Sequence, residues 1–496
     1  MDYNNNIRPV LNNRWKLEGN SLYYYGLRNY PYTLQRIIKL SQHEVEFITT
    51  FNGYTTLHEL LKSHVLTKML KRLLSENIIV DVNNVRKIPN SPDEAQYCTN
   101  CIANDFIIPG LEFDINGKCA LCQADEHIIN SISTPIPTLT KNDLFFIKNK
   151  DTCNKNRNKS RFDIALMYTG GKDSSFLLYY LAKVCKLRVL ACTWTIPFMS
   201  PNAKANIKAA KERLKNVEFV ERKILPEHLN IMYKTSMQLQ KNTCLCPSLA
   251  YVIFYPLFVL EQVPYIVSGV EDVQHKNMIL NGFIPLNIYK ASNSKLLHTL
   301  INVLRIITFK PPYKKGQLET LTYLKQLAYK NNFTNNLAKK IFNYQNEMVE
   351  YLSTIFNTVP EILNPLVDTL KKIKRSKNIP ALVNINLNSI SPGGIYNWDS
   401  IKKILNKELG WQGTKQSGND KGLHTSCIVE DGKDHSQFTR FLNMESMIIP
   451  FSAVELSSAV TSGNLSREQA LDELKKMPGF STEPPLGYKL MQNYKA

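Results

Sequence analysis

The chain has 496 residues, of which 61 are Lys or Arg and 42 are Asp or Glu, giving a formal net charge of +19. With 43% apolar and 21% charged residues it has globular composition, which excludes a wholly disordered or fibrous chain. At about 100–200 residues per domain its length predicts three or four units, and its ten cysteines are too sparse for a disulfide scaffold. The positive charge fits an anionic partner (nucleic acid, nucleotide or acidic peptide) or, equally, the Lys-, Asn- and Ile-rich usage of an AT-rich genome, because the lysines are scattered. The start, MDYNNNIRPVLNNRWK, lacks the apolar core of a signal peptide. The longest uncharged run, 242–260, contains Pro247 and Pro256 and reads as a buried helix, not a span of about 20 apolar residues. A cytoplasmic protein with reduced thiols and no membrane partner is expected.

Residues 1–88 contain no cysteine. Alternation in Trp15-Lys16-Leu17 and Leu22-Tyr23-Tyr24-Tyr25 predicts short strands around the turn at Gly19. Ser41…Glu44 and Thr56…Glu59 are capping boxes that open two helices; Met69, Leu70, Leu73 and Leu74 mark a third, and Asn77 turns it into a strand over 78–80. This winged-helix-like order resembles the PqqD-like domain, on the segments LSQHEV (40–45), NGYTTLHEL (52–60) and LLSENIIV (73–80). The resemblance implies a leader-peptide recognition unit. A generic winged helix for oligomerisation or nucleic acid is the alternative.

In residues 89–130, Cys98-x2-Cys101 and Cys119-x2-Cys122 stand 17 residues apart, within the interval of about 15–20 expected of a four-thiolate zinc site. Two such turns complete a tetrahedron with no open position, so the metal is expected to be structural; an iron–sulfur cluster could use the same ligands.

Beyond a basic connector at 149–161, residues 131–290 alternate strand and helix. Strands are predicted over 163–168, 187–194, 217–220 and 265–268, with helices over 175–184 and 203–214, the pattern of a parallel sheet covered on both faces. Residues 291–496 read as mostly helical, with helices such as 318–329 and 401–409. The fold class is therefore α/β, with a small zinc unit, an N-terminal winged-helix-like domain and a helical C-terminal region.

Between the first strand and its helix lies Thr169-Gly170-Gly171-Lys172-Asp173-Ser174-Ser175. Two glycines let the backbone approach an anion, and the helix N-terminus and hydroxyls can hold phosphates. The Walker pattern is absent. The motif resembles the SGGxDS signature of PP-loop ATP pyrophosphatases, with Thr169 for the first serine. That resemblance implies ATP cleavage between the α and β phosphates and transfer of AMP to a carbonyl oxygen. Lys172 would offset charge, and Asp173 would orient the loop or help hold Mg²⁺. In order, the pieces resemble the N-acetyl sugar amidotransferases, on 98–122, the TGGKDSS loop, Thr193-Trp194-Thr195, 267–272, and late segments at 408–412, 424–427 and 462–470. This adds Thr193 and Gly269 to the expected nucleotide-binding residues, and implies ammonia from a separate glutaminase, since residue 2 is Asp and no N-terminal Cys nucleophile is present.

Cys244, Cys246 and Cys427 are candidates for chemistry, because PP-loop thiolation enzymes deliver sulfur through cysteines and His424 beside Cys427 could lower a thiol pKa. Core packing, or a second metal site built from the three, are the alternatives. Cys153, Cys185 and Cys192 read as structural. The leading expectation is an ATP-dependent, AMP- and pyrophosphate-forming enzyme that adenylates a carbonyl of a leader-guided peptide held by residues 1–88 and replaces its oxygen with nitrogen. Amidine formation on a sugar, sulfur transfer to a peptide or tRNA from a sulfur donor, and a non-enzymatic zinc-ribbon/winged-helix binding module are the other readings.

Overall fold

The computed structural model describes residues 6–62, 67–128, 137–153, 160–239, 245–281, 295–329, 347–373, 376–413, 415–416, 419–420 and 422–494. The chain divides into two compact units, Met1–Asn130 with Gln437–Ser458, and Ser131–Ser436 with Ala459–Ala496. The sequence boundary at 88 falls inside the first unit and that at 290 inside the second. Among the described residues no helix is long and apolar enough to cross a membrane.

In the first unit, β1 (Pro9–Leu11) is followed by β2 (Trp15–Glu18), β3 (Ser21–Tyr24) and β4 (Ile37–Lys39), the last three forming an antiparallel sheet in the order β2-β3-β4. Helix α1 (Gln42–Ile48) begins at Ser41, whose hydroxyl accepts from the Glu44 amide while the Glu44 carboxylate accepts from the Ser41 amide at 2.9 Å. Thr56 and Glu59 do the same for α2 (Leu57–Leu60). Each N-cap is worth about 1 kcal/mol, so these short helices have defined starts where propensity alone would let them fray. Helix α3 (Lys68–Ser75) buries Leu70 and Leu73, and Asn77, at φ +54°, turns the chain into β5 (Ile79–Asp81), which pairs antiparallel with β1. Trp15, Leu22, Tyr24, Phe47, Leu57 and Leu73 form the centre of the core, each large apolar side chain contributing about 1.5–3 kcal/mol. Helix α4 (Ala120–His127) starts at the last cysteine pair.

Residues from far along the chain complete this unit. Arg14 donates to the carbonyls of Leu442 (2.6 Å) and Phe441 (2.5 Å), and Arg36 to that of Met447 (2.5 Å). Burial pulls both guanidinium pKa values down to about 10. Sequence pattern gave no sign of this closure, because its partners are backbone carbonyls.

The second unit is a six-stranded parallel sheet in the order β6-β11-β10-β7-β8-β9. Its strands are β6 (Thr138–Leu139), β7 (Ile164–Met167), β8 (Val189–Trp194), β9 (Val217–Arg222), β10 (Tyr265–Ser268) and β11 (Ala381–Ile385). The helices that position the site are α5 (Lys141–Cys153), α6 (Lys172–Tyr179), α7 (Pro201–Arg213), α8 (Pro226–Gln238), α9 (Cys246–Leu260) and α10 (Asp272–Leu280). β7 and β8 are buried at every position, as strands covered on both faces must be. The uncharged run is largely α9, with Leu249, Val252, Phe254, Tyr255 and Phe258 buried. The C-terminal region is mostly helical, as its sequence predicts, but it also supplies β11: five residues among helices carry little periodic signal, yet they extend the sheet beside β10.

Candidate functional site

The TGGKDSS loop leaves the C-terminal end of β7. From β7 the chain moves to β8 and β9 on one side, while β10 and β11 lie on the other. The loops after β7 and β10 therefore border a topological switch point, where open α/β sheets form a ligand crevice. Gly170 sits at φ +74°, and a Cβ there would lie 2.5 Å from the Ala203 carbonyl oxygen. Its own carbonyl accepts from Trp411 Nε1 (2.9 Å) and Asn206 Nδ2 (3.1 Å). Gly269, just past β10, would place a Cβ 2.8 Å from the Ser174 amide nitrogen. Only glycine lets the two loops approach this closely.

Gly171 caps α6 without a side chain. The Thr169 hydroxyl pairs with that of Ser174 at 3.1 Å, and the Thr169 amide donates to Ser174 Oγ at 3.2 Å. Ser175 is fully buried. The first helical amide, Lys172 N–H, donates to Thr425 Oγ1 at 3.2 Å. Thr193 is buried at the end of β8, its hydroxyl donating to the Tyr168 carbonyl at 2.8 Å, so it braces the strand from which the loop departs.

The Lys172 side chain turns inward. Its ammonium bonds Glu271 Oε1 at 2.5 Å and also Asp173 Oδ1. It lies 4.6 Å from the centroid of Tyr396 and 4.5 Å from that of Trp398, within cation–π range. Tyr396 Oη donates to Asp173 Oδ1 at 2.8 Å; Trp398 Nε1 and Asn464 Nδ2 donate to Glu271 Oε2 at 3.1 and 3.2 Å. Burial and the Asp173 carboxylate push Glu271 well above the usual carboxylate range. Burial opposes ionisation of Asp173 too, but Lys172 outweighs it and holds that carboxyl low; for Lys172, the two carboxylates overcome burial and raise the ammonium. Asp173 is 22% exposed against 1% for Lys172 and 4% for Glu271, so it is the triad member that can meet a ligand. Sequence reading named Lys172 and Asp173 but not Glu271, Tyr396, Trp398, Thr425 or Asn464 as site residues. Glu271, Thr425 and Asn464 stand in the segments 267–272, 424–427 and 462–470 that carry the family resemblance, though no local feature marks them as site residues; Tyr396 and Trp398 have no local signature, since long-range folding brings them to the loop.

The segment carrying Cys427 also reaches the loop. Ser200 N donates to Ser426 O at 2.9 Å and Ile428 N to Phe198 O at 3.0 Å, and Ser426 Cβ lies 3.4 Å from where a Gly171 Cβ would stand. Cys427 is buried there, whereas Cys246 is half-buried in the first turn of α9; Cys244 lies outside the described residues. His424 Nε2 is 2.6 Å from Asp434 Oδ2 and Nδ1 is 3.0 Å from Glu430 Oε2. Burial disfavours the imidazolium, but Asp434 and Glu430 outweigh it and raise the pKa well above normal. Both ring nitrogens are thus committed to carboxylates, which leaves His424 unsuited as a base toward Cys427. Cys185 and Cys192 are pushed up by burial, in keeping with structural thiols; the side chain of Cys153 lies outside the described residues.

A folded-state pKa raised above the unfolded value of about 6.5 contributes stability that is complete below that value and is lost as pH rises through the folded one. His424 should therefore support the fold across neutral pH and cease to do so only in the alkaline range. Urea titrations of wild type and His424→Gln should differ most at neutral and acidic pH and converge in alkali; a difference that grows with pH would contradict the imidazolium.

In the first unit, Cys98, Cys101, Cys119 and Cys122 are all buried, with their sulfurs within 4.8 Å of one another. The Cys98–Cys122 and Cys101–Cys119 separations are 3.8 and 3.6 Å. A tetrahedron with metal–sulfur bonds of about 2.3 Å has edges of about 3.8 Å. The amides of Asn100 and Cys119 donate to Cys98 Sγ and that of Ala103 to Cys101 Sγ at 3.2–3.4 Å, as anionic sulfurs require. The four residues thus fit a single thiophilic ion.

No family model matches the chain, and no curated protein matches it. Among solved structures, a match is the U34-tRNA thiolase NcsA from Methanococcus maripaludis with its 4Fe–4S cluster. It is 12% identical over 56% of this chain and 88% of that chain, with a TM-score of 0.19.

Proposed function

We propose that the second unit is an ATP pyrophosphatase of the PP-loop type, which adenylates a carbonyl oxygen of its substrate so that a nucleophile can displace AMP. The observation that carries this reading is the TGGKDSS loop held at the sheet's switch point by the Lys172–Asp173–Glu271 triad. An amide, carboxylate or lactam oxygen leaves poorly, whereas adenylate leaves well. The α6 amides and the Thr169 and Ser174 hydroxyls would receive phosphate oxygens, which are stronger acceptors than the Thr425 hydroxyl now on the Lys172 amide. Lys172 acts as a positioning residue: its charge is used to fix Asp173 and Glu271. Asp173, as the exposed member, would hold a Mg²⁺ ion that offsets phosphate charge.

The substrate in this reading is a peptide, captured by the winged-helix-like elements of residues 1–88 and thereby raised in effective concentration at the site; the nucleophile is nitrogen, supplied by a separate glutaminase or by ammonia. The four-cysteine site would hold a structural zinc ion, since a cubane cluster puts each thiolate on a different iron and spreads the sulfurs more widely. The position of Cys427 against the loop favours sulfur transfer as a second reading. Incubation with ATP and the peptide of the same gene cluster should release pyrophosphate, and Asp173→Ala should cut the rate by about 100-fold or more. Intact mass then distinguishes the nucleophiles, because exchange of oxygen for NH lowers the product mass and exchange for sulfur raises it. Peptide turnover undiminished after deletion of residues 1–88 would remove the leader-guided reading.

A further inference from the structure

The helix Lys295–Ile307 of the second unit is built inside out. Its polar stripe faces the protein: His298 Nε2 lies 3.1 Å from Glu319 Oε1, Asn302 donates to the Tyr313 carbonyl at 3.2 Å and accepts from its amide at 2.8 Å, and Arg305 Nε donates to the Pro311 carbonyl at 2.7 Å. The opposite stripe, Leu296, Leu300, Val303, Leu304 and Ile307, follows the spacing of one helical face. It is exposed, at 71% for Leu296 and 65% for Ile307, and Phe309 extends it at 96%. A contiguous apolar stripe turned to solvent marks an interaction surface.

Charge identifies what fits it. From 273 to 318 the sequence has no Asp or Glu and seven Lys or Arg; Lys276 is buried and Arg305 turns inward, but exposed Lys314 and Lys315 and half-buried Lys310 stand just beyond Phe309. We propose that this stripe docks on an anionic lipid bilayer, the helix lying in the interface with its apolar face in the acyl boundary and the adjacent lysines at the headgroups. With 13 residues the helix is shorter than the about 20 needed to span, so the expectation of no membrane partner, which rested on spanning segments, does not bear on it. A second copy of the chain is disfavoured, because a two-fold interface would set this basic rim against itself.

Co-sedimentation of the full chain with vesicles tests this. Phosphatidylcholine with phosphatidylglycerol at about three to one should carry the protein down, and added salt should weaken the partition. Leu300→Asp and Leu304→Asp should each weaken it about tenfold while leaving the urea midpoint unchanged, since both side chains are exposed; Lys310→Glu with Lys314→Glu should remove the preference for anionic over neutral vesicles. No sedimentation with anionic vesicles, or sedimentation unaffected by Leu304→Asp, would overturn the proposal. So would a dimer that Leu304→Asp dissociates in a protein that ignores vesicles, which would give the face to a second copy.

Discussion

Replacing Lys172 by methionine is expected to destabilise the second unit by about 3–5 kcal/mol and to abolish pyrophosphate release. The methionine fills much of the same volume, so the loss is electrostatic: the Asp173 carboxylate loses its buried cation beside a Glu271 carboxyl that burial already pushes toward its neutral form, and such a deletion leaves charge uncompensated in a low-dielectric site. Tyr396 and Trp398 would keep their hydrogen bonds to Asp173 and Glu271, but neutral donors do not replace a cation. Adding Asp173→Asn to Lys172→Met removes the stranded charge and should recover part of the stability without recovering activity. That non-additivity is the signature of groups acting as a unit. Urea unfolding of the four proteins measures it; a Lys172→Met midpoint equal to wild type would show that the triad is not a buried ion cluster.

How far the sequence reveals this site depends on the range of the interactions. The loop was legible because its requirements are local: two glycines, hydroxyls and a helix start within seven residues. The capping boxes at Ser41 and Thr56 were legible for the same reason, and both form. The start of α7 also had a local signal that periodicity overlooked, with Ser200 capping and Pro201 in the first turn. By contrast, Thr425, Tyr396 and Trp411, which hold the loop, lie more than 200 residues from it. Tyr396, Trp398, Trp411 and Asn464 are ordinary core types whose role depends on where the tail returns, and β11 is five residues long. Residues 291–496, read from the sequence as a mostly helical region, supply a strand of the sheet and most of the side chains around the triad. For Lys172 the sequence gives the charge but not the direction of the side chain, which turns inward to Glu271 and Asp173.

The second large effect is expected at the cysteines. Cys98→Ser or Cys119→Ser should bring bound metal from one ion per chain to near none, and should lower the melting transition of the first unit by about 10 °C or more. Serine cannot supply the thiolate that closes the tetrahedron, and structural zinc sites couple metal binding directly to folding. The site lies among short segments with little regular structure: Cys98 and Cys101 occupy a turn, and Cys119 caps a helix of eight residues. A metal there replaces the hydrophobic core that so small a substructure cannot build. The wild-type protein distinguishes the two metals that four thiolates can hold. Cobalt substitution of the wild-type site should give the intense absorption of a tetrahedral thiolate complex if a single ion belongs there, whereas an iron–sulfur cluster would bring visible absorption and inorganic sulfide with the purified protein. The sulfur–sulfur edges of 3.6 and 3.8 Å favour the first outcome. Sulfide retained in stoichiometric amount would overturn it and shift the reading of the enzyme toward sulfur transfer.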